Sequence, residues 1–342
     1  MCPDSGRTGR GDRFELEYGR GERLACRLPY TFVVYDRRNS DHTGAQPEPR
    51  TSPISLRTLQ RMASRGEAFA CLTAYDATTA RWLERAGVHL LLVGDSAAQL
   101  ILGYDRTVDM PLDVAIELTA AVKRGAPNTL VMADMPFLTA HVSDEDAIRN
   151  AARFITQGKA DIVKVEADAT MGDRIARMTR AGIAVCAHVG LRPQQVAVAG
   201  GYLAAGRTAE QAERVVADAV ALEQAGAVML LVEAVPPEVT ELMVQRTSVP
   251  IIGIGAGPSC HAQILVIQDL LGLTDHPPRF ADPVADLGTE IVRAGREWVS
   301  RVARGEIGGQ RYTMREGEAS KLGITPSEQD RKDAKASPES QP

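Results

Sequence analysis

Short apolar runs, rich in leucine and β-branched residues, alternate along this chain with longer stretches whose apolar positions recur at helical spacing. Runs of this kind read as strands buried on both faces, the habit of parallel sheets. The pattern predicts strands at Phe69–Thr73, His89–Gly94, Thr129–Ala133, Asp161–Val165, Ile183–Ala187, Val228–Val232, Pro250–Ile254 and Ile264–Ile267. Between them it predicts helices at Ala77–Ala86, Leu112–Lys123, Ser143–Gln157, Met171–Arg180, Ala209–Ala225 and Pro237–Gln245, with further helix across 283–304. Ser143 before Glu145 and Asp146 is an N-terminal helix signal, and Gly87 and Gly158 are stop signals. Strand–helix alternation specifies an α/β fold. Eight strands in about 200 residues match a (β/α)8 barrel. A doubly wound sheet would carry a glycine-rich first turn, and no GxGxxG follows the first strand.

Four of the runs finish on an acid: Asp95, Asp134, Glu166 and Glu233. The carboxyl ends of parallel barrel strands converge on one face, where barrel active sites are built. Clustered carboxylates are costly to bury without a cation or a chemical task. Asp95 and Asp134, at neighbouring strand ends, suit a hard cation such as Mg²⁺, which takes one or two carboxylates and keeps several waters. Each also has a plain alternative as a turn former or helix cap. Lys164 and Glu166 lie two apart on one strand and face the same side. They form either an internal ion pair or a functional couple. His188 is either a structural histidine or a site residue; without HExxH or HxH, zinc is disfavoured. Glu233 follows five apolar residues, and burial there would raise its pKa into the range of a general base. It could instead be a helix-start acid before Pro236. Gly253-Ile-Gly-Ala-Gly257 suits either phosphate binding or close backbone packing.

Composition narrows the field further. The chain has 342 residues and a net charge of −5, with no basic patch for nucleic acid and no apolar stretch of membrane-spanning length. Aromatic residues make up only 4%, so the core must be aliphatic. Five cysteines without a CxxC suggest reduced thiols and a cytoplasmic protein, with Cys71 and Cys186 buried rather than catalytic. Residues 1–50 show no sustained periodicity and no signal-peptide pattern, and read as a flexible extension. The catalytic barrel is expected over 51–310, and a polar tail over 311–342.

Taken together, Thr73-Ala-Tyr-Asp76, Val93-Gly-Asp-Ser96, Ala133-Asp-Met-Pro-Phe137, Val163-Lys-Val-Glu166, Ala187-His-Val-Gly-Leu191, Gly200-Gly-Tyr202, Leu231-Val-Glu233 and Gly253-Ile-Gly-Ala-Gly257 resemble the ketopantoate hydroxymethyltransferase family. The likeness runs in order from about residue 54 to 306. It implies a barrel of the phosphoenolpyruvate/pyruvate superfamily. It also implies transfer of a one-carbon unit from 5,10-methylenetetrahydrofolate to 3-methyl-2-oxobutanoate, giving 2-dehydropantoate for pantothenate biosynthesis. The resemblance puts Mg²⁺ on Asp95, Asp134 and Glu166, and the oxo acid on Asp95, Ser96, Asp134 and Lys164. Glu233 matches the proton acceptor and His188 an active-site residue. A homo-oligomer, commonly a decamer, is also implied. The chain departs from the family pattern at Ala97-Ala98, at Ala167-Asp168-Ala169 and at His261-Ala262-Gln263, positions that bear on the substrate pocket, the folate contacts and subunit packing. Competing expectations are a divergent paralogue acting on another 2-oxo acid, a Mg²⁺-dependent lyase or mutase of the same superfamily, and a non-catalytic barrel.

Overall fold

The computed structural model describes residues 52–306, 308, 312, 314–315 and 317–325. The expected extension over 1–50 and most of the tail over 311–342 lie outside the described residues. Eight parallel strands close into a barrel in the order β1 to β8. They are β1 (Phe69–Thr73), β2 (Leu90–Val93), β3 (Leu130–Asp134), β4 (Ile162–Glu166), β5 (Val185–Gly190), β6 (Met229–Glu233), β7 (Ile251–Ile254) and β8 (Ala262–Leu265). β1 pairs with β8 through Phe69–Ala262 to Leu72–Leu265, which shuts the ring.

The two faces of the strands carry two separate cores. Alternate residues point inward, so Phe69, Cys71, Leu90, Leu92, Leu130, Met132, Ile162, Cys186, Met229, Leu231, Ile252 and Ile264 fill the barrel. Their neighbours Leu91, Val93, Val131, Val163, Val165, Val185, Val232 and Ile251 pack outward against the helices. This double burial is why the runs read as apolar throughout. The helix Leu56–Ser64 precedes the barrel, and its fully buried Leu59 joins the inner core beside the first residues of β1, β2 and β3. It therefore stoppers the amino-terminal end, leaving the carboxyl end for chemistry.

Helix starts follow local side-chain chemistry. Asp76 accepts from the Thr78 and Thr79 amides at the start of Ala77–Arg85. Ser143 caps Asp144–Thr156, and Thr208 caps Ala209–Gln224. Two strands lie later or earlier than the apolar runs suggest. β5 starts at Val185, because the Ile183 amide is used in closing the preceding helix, donating to the Met178 carbonyl. β8 starts at Ala262, in register with Phe69 and Ile252, and Ile267 already belongs to a short helix, its amide held by the Thr73 hydroxyl. Among the described residues no helix is long and apolar enough to cross a membrane.

Candidate active site

The inward alternation that fills the barrel with Ile162 and Met132 lower down delivers polar groups at its carboxyl end. Asp134 is the last residue of β3, Lys164 and Glu166 the third and fifth of β4, His188 the fourth of β5, and Glu233 the last of β6. Asp95 stands two residues beyond β2, followed by Ser96. Asp95, Ser96, Asp134, Lys164, His188 and Glu233 all line one cavity of about 140 Å³. Leu92, Leu231, Ile254 and Ile264 form its apolar floor. Glu166, only 1% exposed, sits behind this lining.

Lys164 resolves the choice left open by the sequence. Its ammonium donates to Asp134 Oδ2 at 2.6 Å, so its direct ion pair is with Asp134 rather than with Glu166. Burial alone would push this ammonium down, but Asp134, Asp95 and Glu166 together outweigh burial and hold it above its usual value. Lys164 Nζ is also 3.4 Å from His188 Nδ1. An ammonium can only donate, so Nδ1 accepts and the imidazole proton resides on Nε2. That nitrogen is buried without a hydrogen-bond partner, 3.4 Å from Glu233 Oε2. Burial, reinforced by Lys164 and Arg192, drives His188 well below its ordinary pKa, so the ring is neutral.

Asp95, Asp134, Glu166 and Glu233 therefore gather around one fixed cation. The imbalance registers in their acidities. Asp95 is raised to about 7 by burial and by the neighbouring Asp134. Glu233 is raised to about 7, chiefly by burial. Burial also lifts Glu166 well above the usual carboxylate range. Asp134 Oδ1 is buried and has no partner. A hard divalent cation would supply the missing charge and use that oxygen. Among the described residues no set of three His, Cys, Asp or Glu side chains is arranged to hold a metal. Asp95 and Asp134 are the pair in contact, the Asp95 amide donating to Asp134 Oδ2 at 3.3 Å. The Glu166 carboxylate accepts the Gln194 amide instead.

Gln194 is the residue that motif reading passes over. It sits in the turn Pro193–Gln195 of the long loop after β5, yet is 5% exposed. Its side-chain amide donates to Asp95 Oδ2 at 3.0 Å and to the Met135 carbonyl at 3.1 Å, while its backbone holds Glu166. One loop residue thus ties Asp95 and Glu166 to the backbone just beyond Asp134. Tyr75 is a second such support: its hydroxyl lies 2.8 Å from Ser96 Oγ, and burial pushes its phenol up to about 12. Tyr202, on the loop after β5, is raised by burial and by Asp95, Glu233 and Glu166.

The backbone around Glu233 is tightly constrained. Gly190 pairs in register with Glu233 and has φ +92°; a Cβ there would lie 2.5 Å from the Glu233 carbonyl oxygen. Ala234, immediately after the acid, holds φ +48°, a conformation that costs a non-glycine residue about 1 kcal/mol or more. The glycine cluster after β7 serves close packing: a Cβ on Gly255 would lie 2.6 Å from the Phe280 ring. Cys71 and Cys186 are free and buried in the barrel interior, both thiols raised by burial, Cys186 to about 12.

A family model described as ketopantoate hydroxymethyltransferase matches residues 53–309. The chain belongs to that family. It is accordingly an enzyme of the one-carbon transferase class, in a family tied to pantothenate biosynthesis. The chain is 43% identical over 271 residues to the 3-methyl-2-oxobutanoate hydroxymethyltransferase of Hyperthermus butylicus, covering 79% of this chain and 94% of that protein. It is 44% identical to the enzyme of that name from Nitrosospira multiformis, covering 76% and 99%. Solved structures share the fold at low identity. A phosphonopyruvate hydrolase complexed with oxalate and Mg²⁺ has TM-score 0.51 and 16% identity, over 83% of this chain and 95% of that one. A 2,3-dimethylmalate lyase of the PEP mutase/isocitrate lyase superfamily has TM-score 0.50 and 20% identity, over 79% and 93%.

The departures from the hydroxymethyltransferase pattern are absorbed locally. Ala97 and Ala98 are fully buried at the start of a short helix and need no left-handed backbone. Asp168 caps the turn Ala169–Met171 and receives Arg192 at 2.7 Å, fastening the loop that carries Gln194. His261 Nδ1 accepts the Ile251 amide at 3.0 Å.

Proposed function

We propose that this protein transfers a hydroxymethyl group from 5,10-methylenetetrahydrofolate to 3-methyl-2-oxobutanoate, giving 2-dehydropantoate, in a Mg²⁺-dependent reaction. The observation that carries this reading is the cavity's charge: Asp95, Asp134, Glu233 and Asp269 line it against one lysine, with Glu166 behind and a partnerless Asp134 oxygen, above an apolar floor. That arrangement suits a small branched acid bound head-first. The Mg²⁺ ion would be held by Asp95 and Asp134, with Glu166 in the surrounding shell, and would supply Lewis-acid polarisation of a chelated keto acid.

The remaining chemistry belongs to the side chains. Lys164 offsets negative charge on the oxo acid, and Ser96, steadied by Tyr75, contacts its carboxylate. The branched end rests against Leu92, Leu231, Ile254 and Ile264. Glu233 takes the proton from C3. Its pKa of about 7 matches the proton affinity a general base needs near neutrality. Neutral His188, its Nε2 3.4 Å from Glu233 Oε2, stands beside the base without cancelling its charge. The electron pair left on C3 forms the new carbon–carbon bond to the donor's methylene; water supplies the hydroxyl oxygen, and tetrahydrofolate leaves. We read the enzyme as cytoplasmic and self-associating. The second point is supported by the helix Leu287–Ala303, none of whose residues is buried, with Ile291, Val292, Trp298 and Val299 exposed.

The test is a panel of 2-oxo acids assayed for C3 deuterium exchange with Mg²⁺, then for product formation with methylenetetrahydrofolate. The branched five-carbon acid should exchange fastest and give product. Preference for another acid would reassign the substrate. Exchange without any product would overturn the one-carbon transfer.

A further inference from the structure

The departure at Ala167-Asp168-Ala169 places a charge two residues beyond Glu166, and the fold gives that charge a cationic partner. Arg192, at the start of the long loop after β5, donates to Asp168 Oδ2 at 2.7 Å. The two side chains are only 22% and 29% exposed. Asp168 is itself well fixed. It accepts the Thr170 amide at 3.0 Å and the Thr170 hydroxyl. The adjoining Ala169 amide donates to Asp218, on the helix Ala209–Gln224, at 2.9 Å. Arg192 is therefore tied to a point held by the barrel's outer helices.

What Arg192 carries is Gln194. Pro193 stands between them with its own φ fixed, and it keeps Arg192 extended at φ −119° and ψ 100°, so the short stretch is stiff. Gln194 is the loop's hold on the acids, through Asp95, Glu166 and the Met135 carbonyl. Past it Val198, Tyr202 and Leu203 are exposed. Among the described residues the loop's next hydrogen bond to the barrel is from the Ala205 amide to the Ala234 carbonyl. The Gln194 bonds also act against the mutual repulsion of Asp95, Asp134 and Glu166, which is greatest before a cation arrives. We propose that the Asp168–Arg192 ion pair is a latch that positions Gln194, and through it Asp95 and Glu166, to receive the oxo acid and its cation. Neither Asp168 nor Arg192 lines the cavity, so both are positioning residues. This inference rests on the oxo-acid reading and adds a support for that site.

The experiment is calorimetric titration of the full chain with 3-methyl-2-oxobutanoate in the presence of Mg²⁺. Amide hydrogen exchange of the peptide containing Gln194, measured by mass spectrometry without ligand, runs beside it. Asp168→Asn keeps an oxygen for the Thr170 amide and removes the charge; Arg192→Met keeps the stem and removes the guanidinium. Each should weaken oxo-acid binding about fivefold, the scale of a partly exposed ion pair, and speed exchange at Gln194. The double variant should bind no more weakly than either single one, because one link is broken twice. Arg192→Lys keeps a cation and should stay within about twofold of wild type. In a Gln194→Leu background Arg192→Met should cost nothing further. Saturated C3 exchange should hold within about threefold throughout, because Glu233 is placed by β6 and not by the loop. Unchanged binding and unchanged Gln194 exchange in both single variants would overturn the latch. So would tighter binding by Asp168→Asn, or a loss from Arg192→Met that persists without Gln194, since either would mean that Arg192 attracts the anionic ligand directly. A wild type that binds no oxo acid would defeat the proposed function and the latch's part in it; faster Gln194 exchange in the variants would separate that failure from a loop the pair never held.

Discussion

Replacing Glu233 with glutamine should remove proton abstraction while leaving the cavity's shape intact. Glutamine has the volume of glutamate and keeps an oxygen for His188 Nε2, now 3.4 Å from Glu233 Oε2. What disappears is a carboxylate able to hold a proton. A positioned general base contributes roughly 10²- to 10⁴-fold, so C3 exchange should fall by that factor. The pH profile gives a second magnitude. Burial raises Glu233 to about 7, although 17% of its side chain remains exposed. The base form is therefore lost as pH falls through about 7, and roughly one tenth of it remains at pH 6. An ordinary carboxylate, titrating near 4.3, would keep the rate flat across that span. Added Mg²⁺ should shift the acid limb to lower pH, since a nearby dication favours the ionised form. The assay is nuclear magnetic resonance detection of deuterium at C3 between pH 5.5 and 8.5, with circular dichroism to verify folding. A folded Glu233→Gln protein that exchanges within threefold of wild type, with the same acid limb, would refute Glu233 as the base.

Three other outcomes follow from the geometry. Gln194→Leu removes the donors to Asp95 and to the Met135 carbonyl; oxo-acid binding in the presence of Mg²⁺, read by calorimetry, should weaken about tenfold or more, and unchanged binding would show that the loop does not organise the acids. Lys164→Met leaves Asp134 without its buried partner and should cost about 3–5 kcal/mol in urea denaturation. The loss should be larger at pH 8 than at pH 6, because acids whose folded pKa is raised are neutralised by protons at lower pH and lose that relief as pH rises; a pH-independent loss would contradict the charge count. Gly190→Ala meets both a left-handed φ and the Glu233 carbonyl at 2.5 Å, so it should destabilise by about 2 kcal/mol or more and slow C3 exchange through the displaced base; a neutral effect on both would mean that β5 and β6 can separate freely.

Much of the acid site was legible because strand periodicity is a local property. Ile162, Lys164 and Glu166 share a face by their spacing alone, and the apolar runs before Asp134 and Glu233 fix where those strands end. Periodicity could not place β5 and β8, whose bounds depend on which neighbour's hydrogen bonds claim each residue. Thus Ile183 goes to a helix end and Ala262 to the start of β8. Nor could the sequence decide whom Lys164 pairs with. Glu166 is two residues away and Asp134 thirty, but strand register sets Asp134 beside Lys164.

The chain's own pattern of alternation determined a closed parallel barrel with acids collected at one rim. Only the folded molecule decided which acids are partnered, because that depends on loops whose course has no period to read. Gln194 reaches Asp95 across 99 residues of sequence, and Asp269 enters the cavity from a four-residue helix whose start is held by a hydroxyl on β1. Contacts of that kind exist only after the ring has closed.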